Sequence, residues 1–267
     1  MDNFSTDDGL TRVGFAGDWH GSAAWAGRAI PAMRRAGVRT IYHVGDLGLY
    51  ENDPFLKTLD YWLQDDMTLV CTPGNHEQWS WLNGLWAVAG PGQPAQVANL
   101  VWALPRGYRS DHAGRQYLSV RGTPSIDRGY RRAVRRPWDA CEAITEEDIE
   151  RITAEGGGVD IMITHDAPDR GTEAVRRARV LNEDPQFRPD EEDVEYAIEG
   201  VQRLTHIYES VLPQVHGHYH RRDEAVVDGW RIYSMGKDGD RAGNLAVLDL
   251  GDMAWEWLSV NADKGGR

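Results

Sequence analysis

The chain has 267 residues, of which 41% are hydrophobic and 27% are charged, and its formal net charge is −13. This length is sufficient for one large α/β domain with a substantial core. No run of about 20 apolar residues is present to span a bilayer. The negative charge disfavours the binding of extended duplex nucleic acid through a broad basic face.

Targeting signals and cysteine usage predict the compartment. The first ten residues carry three acidic groups and no basic one, so they lack the positive start and the apolar centre of a secretory signal. The two cysteines, Cys71 and Cys141, agree with a reducing compartment. We therefore expect a cytoplasmic protein that does not associate with a membrane.

The first part of the chain predicts alternating strands and helices. The predicted strands cover residues 11–16, 40–44 and 68–72. A helix is predicted over residues 22–36, where Pro31 should kink it or end it early. A second helix is predicted to begin at Asp53-Pro54, with Asp53 as its N-cap and Pro54 in its first turn. This β-α-β-α-β order implies a parallel sheet with functional groups at the carboxyl ends of its strands.

The remainder of the chain predicts a less regular arrangement. Further strands are predicted over residues 100–103, 116–120 and 160–164 and around residues 214, 225, 232 and 246. Helices are predicted after Thr145 and over residues 191–210. The short turns between the last four strands favour antiparallel pairing. We predict a single domain over residues 1–267, with irregular insertions near residues 126–142 and 166–190.

Polar side chains follow the predicted strands in five short blocks. These blocks are Gly17–Gly21, Gly45–Gly48, Gly74–Glu77, Thr164–Asp166 and Gly217–His220. Their carboxylate, amide and imidazole groups, without any thiolate, suit divalent ions such as Mn²⁺, Fe²⁺, Zn²⁺ or Mg²⁺. Side chains two residues apart in an extended segment lie on one side, so one Asp-x-His or His-x-His pair can chelate one ion. The two oxygens of Asp46 suit a bridge between ions about 3.5–4 Å apart.

The order of these blocks resembles the calcineurin-like metallophosphoesterases, whose pattern is Asp-x-His, Gly-Asp, Gly-Asn-His-Asp/Glu, His and Gly-His-x-His. The resemblance implies an α/β fold, a four-layer αββα sandwich with two mixed β-sheets. It implies a first metal site formed by Asp18, His20, Asp46 and His220. It implies a second metal site formed by Asp46, Asn75, His165 and His218. His76 corresponds to the family's catalytic histidine, which does not bind metal.

The resemblance also implies a mechanism with two divalent ions, Mn²⁺ first and Fe²⁺, Zn²⁺, Ni²⁺ or Mg²⁺ as alternatives. Two cations that share a water lower its pKa, and the resulting hydroxide attacks phosphorus while the ions stabilise the phosphoryl oxygens. His76 would protonate the leaving oxygen or hold a phosphoryl oxygen. No covalent intermediate with the protein is needed.

An arginine cluster gives two alternatives for substrate binding. It contains Arg128, Arg131, Arg132, Arg135 and Arg136, within nine residues of an otherwise acidic chain. A solvated surface is the ordinary interpretation of such a run. The functional alternative is a cap whose guanidinium groups bind substrate phosphate, with Arg128, Arg131 and Arg132 as the candidate contacts. The stretch Ser125–Arg128 also resembles a segment of bacterial and phage members of the family.

Four histidines lie outside the metal blocks and are not predicted to bind metal. His43 lies in a predicted strand and His206 in a predicted helix, so we interpret both as structural. His112 lies in a polar loop and is predicted to be exposed. His216 precedes the last block, and an ordinary strand histidine is favoured over one that supports the metal ligands.

The residues after Asp46 narrow the expected substrate. They lack the Asp-Arg-Gly that protein serine/threonine phosphatases and diadenosine tetraphosphatases of the family carry there. The leading prediction is a phosphodiesterase that acts on cyclic nucleotides or other small phosphodiesters by metal-bound hydroxide attack. The alternatives are a phosphomonoesterase or nucleotide phosphatase, and a non-catalytic binding module that retains the fold. The expected partner is a small phosphate ester, and the oligomeric state stays open.

Overall fold

A computed structural model describes residues 4–64, 66–125, 127–134, 138–169, 171–181, 191–208, 214–227 and 229–260. The strands are β1 (Arg12–Ala16), β2 (Thr40–His43), β3 (Thr68–Cys71), β4 (Ala95–Ala98), β5 (Val101–Ala103), β6 (Tyr108–His112), β7 (Arg115–Val120), β8 (Ile161–Thr164), β9 (Gln214–His216), β10 (Asp223–Val227), β11 (Trp230–Ser234), β12 (Ala242–Asp249) and β13 (Ala254–Ser259). The helices are α1 (Ala23–Arg35), α2 (Pro54–Leu63), α3 (Trp79–Ala89), α4 (Arg128–Ala133), α5 (Glu146–Ala154), α6 (Glu173–Leu181) and α7 (Glu191–Tyr208). No helix in these ranges combines the length and apolarity needed to cross a membrane.

The strands form two mixed sheets. The first sheet has the order β13-β12-β1-β2-β3-β5-β4, and its central strands β1, β2, β3 and β5 are parallel. The second has the order β10-β11-β9-β8-β7-β6, with β11, β9, β8 and β7 parallel. Antiparallel strands occupy both edges of each sheet. The carboxyl ends of the parallel strands therefore lie at one edge of each sheet.

Apolar residues of the strands separate into three clusters that define four layers. Because side chains alternate along a strand, Ile161 and Ile163 of β8 face the cluster between the sheets, whereas Met162 faces the helices α5 and α7. On the opposite side, α1, α2 and α3 pack on the outer face of the first sheet. The predicted four-layer αββα sandwich with two mixed sheets is confirmed. Burial on both faces explains why these strands are continuously apolar.

The predicted helix boundaries are confirmed at α1 and α2, but Pro31 does not end α1 early. The side chain of Asp53 accepts a hydrogen bond from the N–H of Phe55 at 2.8 Å, as an N-cap should. Helix α1, in contrast, continues through Pro31 to Arg35. A proline inside a helix costs about 3 kcal/mol. Burial of one face of α1, which includes Trp25, Ile30 and Met33, outweighs that cost.

The predicted antiparallel pairing of the last strands is only partly correct. Strands β10 and β11 are antiparallel as expected, but β11 inserts beside β9 and runs parallel to it. Strand β12 crosses to the other sheet and pairs with β1, and β13 was not predicted. A short turn predicts antiparallel pairing only when the two strands that it joins are neighbours in the sheet. Here β10 follows β9 along the chain, but β11 lies between them.

The insertions are more regular than expected. The segment 126–142 contains α4 and a 3₁₀ turn at Ala140–Glu142, and the segment 166–190 contains α6. Parts of both segments, residues 126, 135–137, 170 and 182–190, lie outside the described residues. The irregular composition concealed helices because α4 has only six residues, too few for a periodic signal.

A buried amide joins the loop after β1 to β12. The Oδ1 of Asn244 accepts hydrogen bonds from the indole N–H groups of Trp19 at 2.9 Å and Trp25 at 2.7 Å. Its Nδ2 donates to the carbonyls of Gly17 and Gly236. Since Asn244 is 1% exposed, water cannot replace these partners. This single side chain therefore fixes the path of the chain on both sides of Asp18.

Replacement of Asn244 by alanine should destabilise the protein strongly. The change leaves two buried N–H groups and two carbonyls without partners, and each such loss costs about 1–3 kcal/mol. We expect the free energy of unfolding to fall by about 3–5 kcal/mol in urea titrations. The control is Asn99→Ala, because Asn99 is exposed and should change stability by less than about 0.5 kcal/mol. Equal stability of the two variants would contradict this role.

Candidate metal centre

Loops from both sheets carry the predicted metal ligands. In the first sheet, Asp18 and His20 follow β1, Asp46 follows β2 and Asn75 follows β3. In the second sheet, His165 follows β8, and His218 and His220 follow β9. The carboxyl ends of the parallel strands in the two sheets meet here, which brings residues from positions 18 to 220 together.

These side chains form two groups that share one carboxylate. Ligand atoms of Asp18, His20, Asp46 and His220 lie within 4.8 Å of one another. Ligand atoms of Asp46, His165 and His218 also lie within 4.8 Å of one another. Two adjacent sites with a shared carboxylate are the arrangement of dinuclear hydrolases.

Asp46 lies at the centre of the site. Its Oδ1 accepts a hydrogen bond from the N–H of His76 at 2.8 Å. Its Oδ2 lies 3.2 Å from Nε2 of His165 and 3.8 Å from Nε2 of His20. The side chain is 1% exposed, so this orientation is fixed by protein contacts. One oxygen is thus held by the backbone, and the other faces the histidines of both groups.

The backbone of the ligand loops is unusual. Five of the predicted ligands have positive φ: Asp18 (54°), His20 (48°), Asp46 (52°), His218 (68°) and His220 (54°). Residues other than glycine rarely adopt this conformation, and such residues cluster at functional sites. Each left-handed residue turns the chain sharply at the end of its strand. The strain is consistent with loops shaped for ligand placement rather than for local stability.

Small residues allow the ligands to approach each other. A Cβ atom at Gly74 would lie 2.4 Å from Oδ1 of Asp46, and one at Gly217 would lie 2.3 Å from Oδ2 of Asp18. A Cβ atom at Gly45 would lie 2.4 Å from Nδ1 of His165. Real Cβ atoms do not approach other atoms so closely, so glycine is required for packing at these positions.

The site contains buried polar atoms that need a partner. Within the described ranges, Oδ2 of Asp18, Oδ1 of Asn75 and Nε2 of His165 are buried without a hydrogen-bond partner. A buried polar group without a partner is costly and uncommon in native proteins. All three belong to predicted metal ligands, and their oxygen and nitrogen donors suit divalent cations. The residues therefore fit a pair of metal ions.

Hydrogen bonds on the far side of two rings orient them toward Asp46. Nδ1 of His165 lies 2.8 Å from the carbonyl oxygen of Val44, so Nδ1–H donates and Nε2 is left as the ligand atom. Nδ1 of His20 lies 3.3 Å from Oδ1 of Asp238, which favours the same tautomer. Sequence reasoning missed Asp238, although the acidic, glycine-rich turn after the strand around residue 232 is the same signal that identified the other loops.

The buried charged groups of the site shift the pKa values of their neighbours. Burial alone would lower the pKa of His165, but the carboxylates of Asp46 and Asp18 raise it to about 10. Burial opposes the ionisation of Asp46, yet the nearby histidines, above all His165, hold the pKa of Asp46 well below its usual range. Burial lowers the pKa of His218 to about 4. The carboxylates thus attract positive charge to the centre, as a cation-binding site requires.

His76 and Arg131 lie beside the ligand cluster. Nε2 of His76 is 3.9 Å from Oδ2 of Asp46. The Nη2 of Arg131 lies 2.9 Å from Nε2 and 3.1 Å from Nδ1 of His76, and its Nη1 donates to the carbonyl of Asn75 at 3.1 Å. Burial lowers the pKa of His76, and the charge of Arg131 lowers it further. The ring is therefore next to the centre and its loop is held by a guanidinium.

The other arginines have different surroundings. Arg128 is 8% exposed and binds Asp193 at 2.9 Å and Glu192 at 2.9 Å, so it joins α4 to α7. Its guanidinium also lies 4.6 Å from the centre of the Tyr196 ring. Arg132 is exposed. Arg135 and Arg136 lie outside the described residues. The structure thus places Arg131, but neither Arg128 nor Arg132, in contact with His76, and substrate contact by these residues stays a prediction.

The structure corrects one histidine outside the metal blocks. His112 was expected to be exposed, but it is 0% exposed and lies on β6, where Nδ1 is 3.1 Å from the hydroxyl of Tyr42 and Nε2 is 3.1 Å from the carbonyl of Leu10. The apolar residues that bury it come from other strands, which the local sequence does not show. His43 and His216 are buried strand residues. The side chain of His206 lies outside the described part of the chain.

Several solved structures share the fold of this chain. The chain is similar to TT1561 of Thermus thermophilus, with 11% identity, 94% of this chain and 100% of that chain covered, and a TM-score of 0.55. It is similar to a dimetal phosphatase from Danio rerio, with 13% identity, 94% and 96% covered, and a TM-score of 0.56. It is also similar to GAP50, described as the anchor in the inner membrane complex of Plasmodium, with 12% identity, 96% and 86% covered, and a TM-score of 0.50. No curated protein matches the sequence.

The match to a family model covers most of the chain. Residues 11–222 match the model of the calcineurin-like phosphoesterases. This range begins at the first strand and ends just after the last pair of histidine ligands, so it includes every predicted metal ligand. The chain belongs to the calcineurin-like phosphoesterase family.

Proposed function

We propose that this chain is a phosphodiesterase that uses two divalent ions, with Mn²⁺ as the preferred metal, to hydrolyse cyclic nucleotides or other small phosphodiesters. The observation that carries the proposal is the shared carboxylate of Asp46, which belongs to both groups of clustered ligand atoms. Oxygen and imidazole donors without thiolate agree with Mn²⁺. Buried atoms of Asp18, Asn75 and His165 lack a hydrogen-bond partner among the described residues. This agrees with a metal ion at each of the two sites.

The protein side chains divide the work of hydrolysis. Asp18, His20, Asp46 and His220 would hold one ion, and Asp46, Asn75, His165 and His218 the other. Bound ions would activate water and stabilise the charge on the phosphoryl oxygens. His76 would hold a phosphoryl oxygen or protonate the leaving oxygen, and its position 3.9 Å from Asp46 supports either role.

The surroundings of Asp46 support a diester over a monoester. The two leucines that follow, Leu47 and Leu49, are both 0% exposed and belong to the core. This loop therefore supplies no arginine where other members of the family carry Asp-Arg-Gly. A phosphodiester has one negative charge whereas a monoester has up to two, so it needs less positive charge from the protein. Arg131 provides one guanidinium beside His76.

The alternatives differ in what the same site would do. A phosphomonoesterase or nucleotide phosphatase would use the same ions on a more highly charged substrate. A non-catalytic binding module would retain the fold without turnover, and the similarity to GAP50 keeps that alternative relevant. The clustering of six of the seven predicted ligands argues against the module, because a binding surface alone gives no reason to keep backbone strain at five of these residues.

The substrate class can be tested directly. Metal-stripped protein to which Mn²⁺ is returned should cleave bis(p-nitrophenyl) phosphate with a higher kcat/KM than p-nitrophenyl phosphate. Asp46→Asn, purified in the same way, should lose both activities, which excludes a contaminating phosphatase. Glu51→Gln removes an exposed carboxylate five residues away and should behave as the parent. Faster cleavage of the monoester would replace the diesterase by a monoesterase, and no cleavage of either ester would favour the binding module.

Removal of His76 should separate catalysis from metal binding. We expect His76→Ala to retain two ions by elemental analysis, while kcat for bis(p-nitrophenyl) phosphate falls by about 10²–10⁴, the usual contribution of a general acid or base. The physical reason is that His76 lies beside Asp46 without belonging to either ligand group. Loss of metal together with activity would show that His76 has a different role.

The two neighbouring arginines of α4 should differ in their effect on substrate binding. Arg131→Ala should raise KM for bis(p-nitrophenyl) phosphate by about 10-fold, because a charge-assisted contact contributes about 1.5–3 kcal/mol. Arg132→Ala removes the second candidate contact, which is exposed on the same helix, and should raise KM by a smaller factor. An unchanged KM in both variants would mean that neither arginine contacts the substrate.

A further inference from the structure

A buried serine connects Asn75 to a buried glutamate. Ser125 lies on the loop after β7 and is 0% exposed, as is Glu142. The Nδ2 of Asn75 donates to Oγ of Ser125 at 3.2 Å. The Oγ of Ser125 in turn donates to Oε2 of Glu142 at 2.8 Å, and the N–H of Ser125 donates to Oε1 at 2.5 Å. The three side chains therefore form a continuous chain of hydrogen bonds.

The direction of these bonds follows from the chemistry of the groups. An ionised carboxylate accepts hydrogen bonds and does not donate them. The single hydroxyl proton of Ser125 is therefore directed to Glu142, and only the lone pairs of Oγ remain for Asn75. The group of Asn75 that faces Ser125 must then be the NH₂, which leaves the amide oxygen on the other side. That oxygen, Oδ1, is buried without a partner among the described residues.

Glu142 is itself held from other directions. The indole N–H of Trp138 donates to Oε1 at 3.0 Å, and the hydroxyl of Tyr196 lies 3.5 Å from the same oxygen. The backbone carbonyl of Glu142 lies 3.3 Å from Nη2 of Arg106. Oε2 is the oxygen that accepts from the hydroxyl of Ser125, whereas these side chains contact Oε1 or the backbone. Contacts that do not involve Ser125 therefore also fix the position of the carboxylate.

We propose that Ser125 and Glu142 are positioning residues that direct the amide oxygen of Asn75 into the metal centre and so set the affinity of the ion held by Asp46, Asn75, His165 and His218. The proposal rests on the proposed dinuclear function. Groups that orient metal ligands commonly change metal affinity by 10–100-fold. An asparagine is a ligand only through its oxygen, so an inverted amide would present two N–H donors to a cation.

Two substitutions change the donors and acceptors in this chain of hydrogen bonds with little change in side-chain shape. Ser125→Ala removes the acceptor for the NH₂ of Asn75. Glu142→Gln is nearly isosteric, and its oxygen is kept by the N–H groups of Ser125 and Trp138, so its NH₂ faces Oγ of Ser125. The hydroxyl of Ser125 is then free to donate to Asn75, which favours the inverted amide. A purely structural role of Glu142 would instead predict lower stability with normal metal sites.

Calorimetric titration of metal-free protein with Mn²⁺ tests the proposal. The measurement is made at about pH 8, above the pKa of about 7 to which burial raises Glu142. We expect the parent to bind two ions, and both variants to bind one ion normally and the other about 10–100-fold more weakly. Ser110→Ala is the matched control, because Ser110 lies on β6, outside this chain of hydrogen bonds, and the variant should bind both ions as the parent does.

The outcomes separate this proposal from the proposed function. Metal-free melting temperatures within a few degrees of the parent would show that weaker binding is local, and Ser125→Ala decides the question if Glu142→Gln fails to fold. Two ions bound by Ser125→Ala with the affinities of the parent would overturn the positioning role while leaving the dinuclear site intact. A parent that binds fewer than two ions would overturn the dinuclear function and this inference with it.

Discussion

The carboxylate of Asp46 is the interaction on which the rest of the site depends. Its side chain follows a central strand of the first sheet, yet its free oxygen lies 3.2 Å from His165, which follows a strand of the second sheet. The two sheets must therefore pack with the carboxyl ends of their parallel strands at the same edge. The apolar cluster between the sheets, which includes Phe15 and Ile163, fixes that relation. The packing of the two sheets therefore also positions the ligands of the metal centre.

The loops meet at this edge only with local strain. Positive φ at five ligand residues and the absence of Cβ atoms at Gly45, Gly74 and Gly217 are unfavourable for an isolated chain. Buried hydrogen bonds offset this cost. Asn244 holds the chain beside Asp18, and Val44 holds the ring of His165. Asn244 lies in β12, which carries no predicted metal ligand, so the site also depends on parts of the sandwich outside the ligand loops.

The segment after β7 combines structural and functional contacts within a few residues. Arg128 binds acidic residues of α7, whereas Arg131 reaches back to His76 and Asn75. Ser125, six residues before Arg131, contacts the amide of the same asparagine. The Asn75–His76 loop is therefore held from two sides by one short stretch of chain. Helix α7, which follows the second insertion, provides the acidic residues that bind Arg128.

The sequence by itself determined the family pattern, the seven candidate ligands, the first three strands and the capped start of α2, because each depends on local periodicity or on fixed short spacings. Tertiary structure alone decided that β11 inserts parallel to β9, that α1 continues past Pro31 and that His112 is buried. It also decided that Arg131, rather than its neighbours, lies against His76, and that Ser125 links Glu142 to Asn75. These outcomes depend on contacts between residues far apart along the chain, and local sequence carries no signal for such contacts.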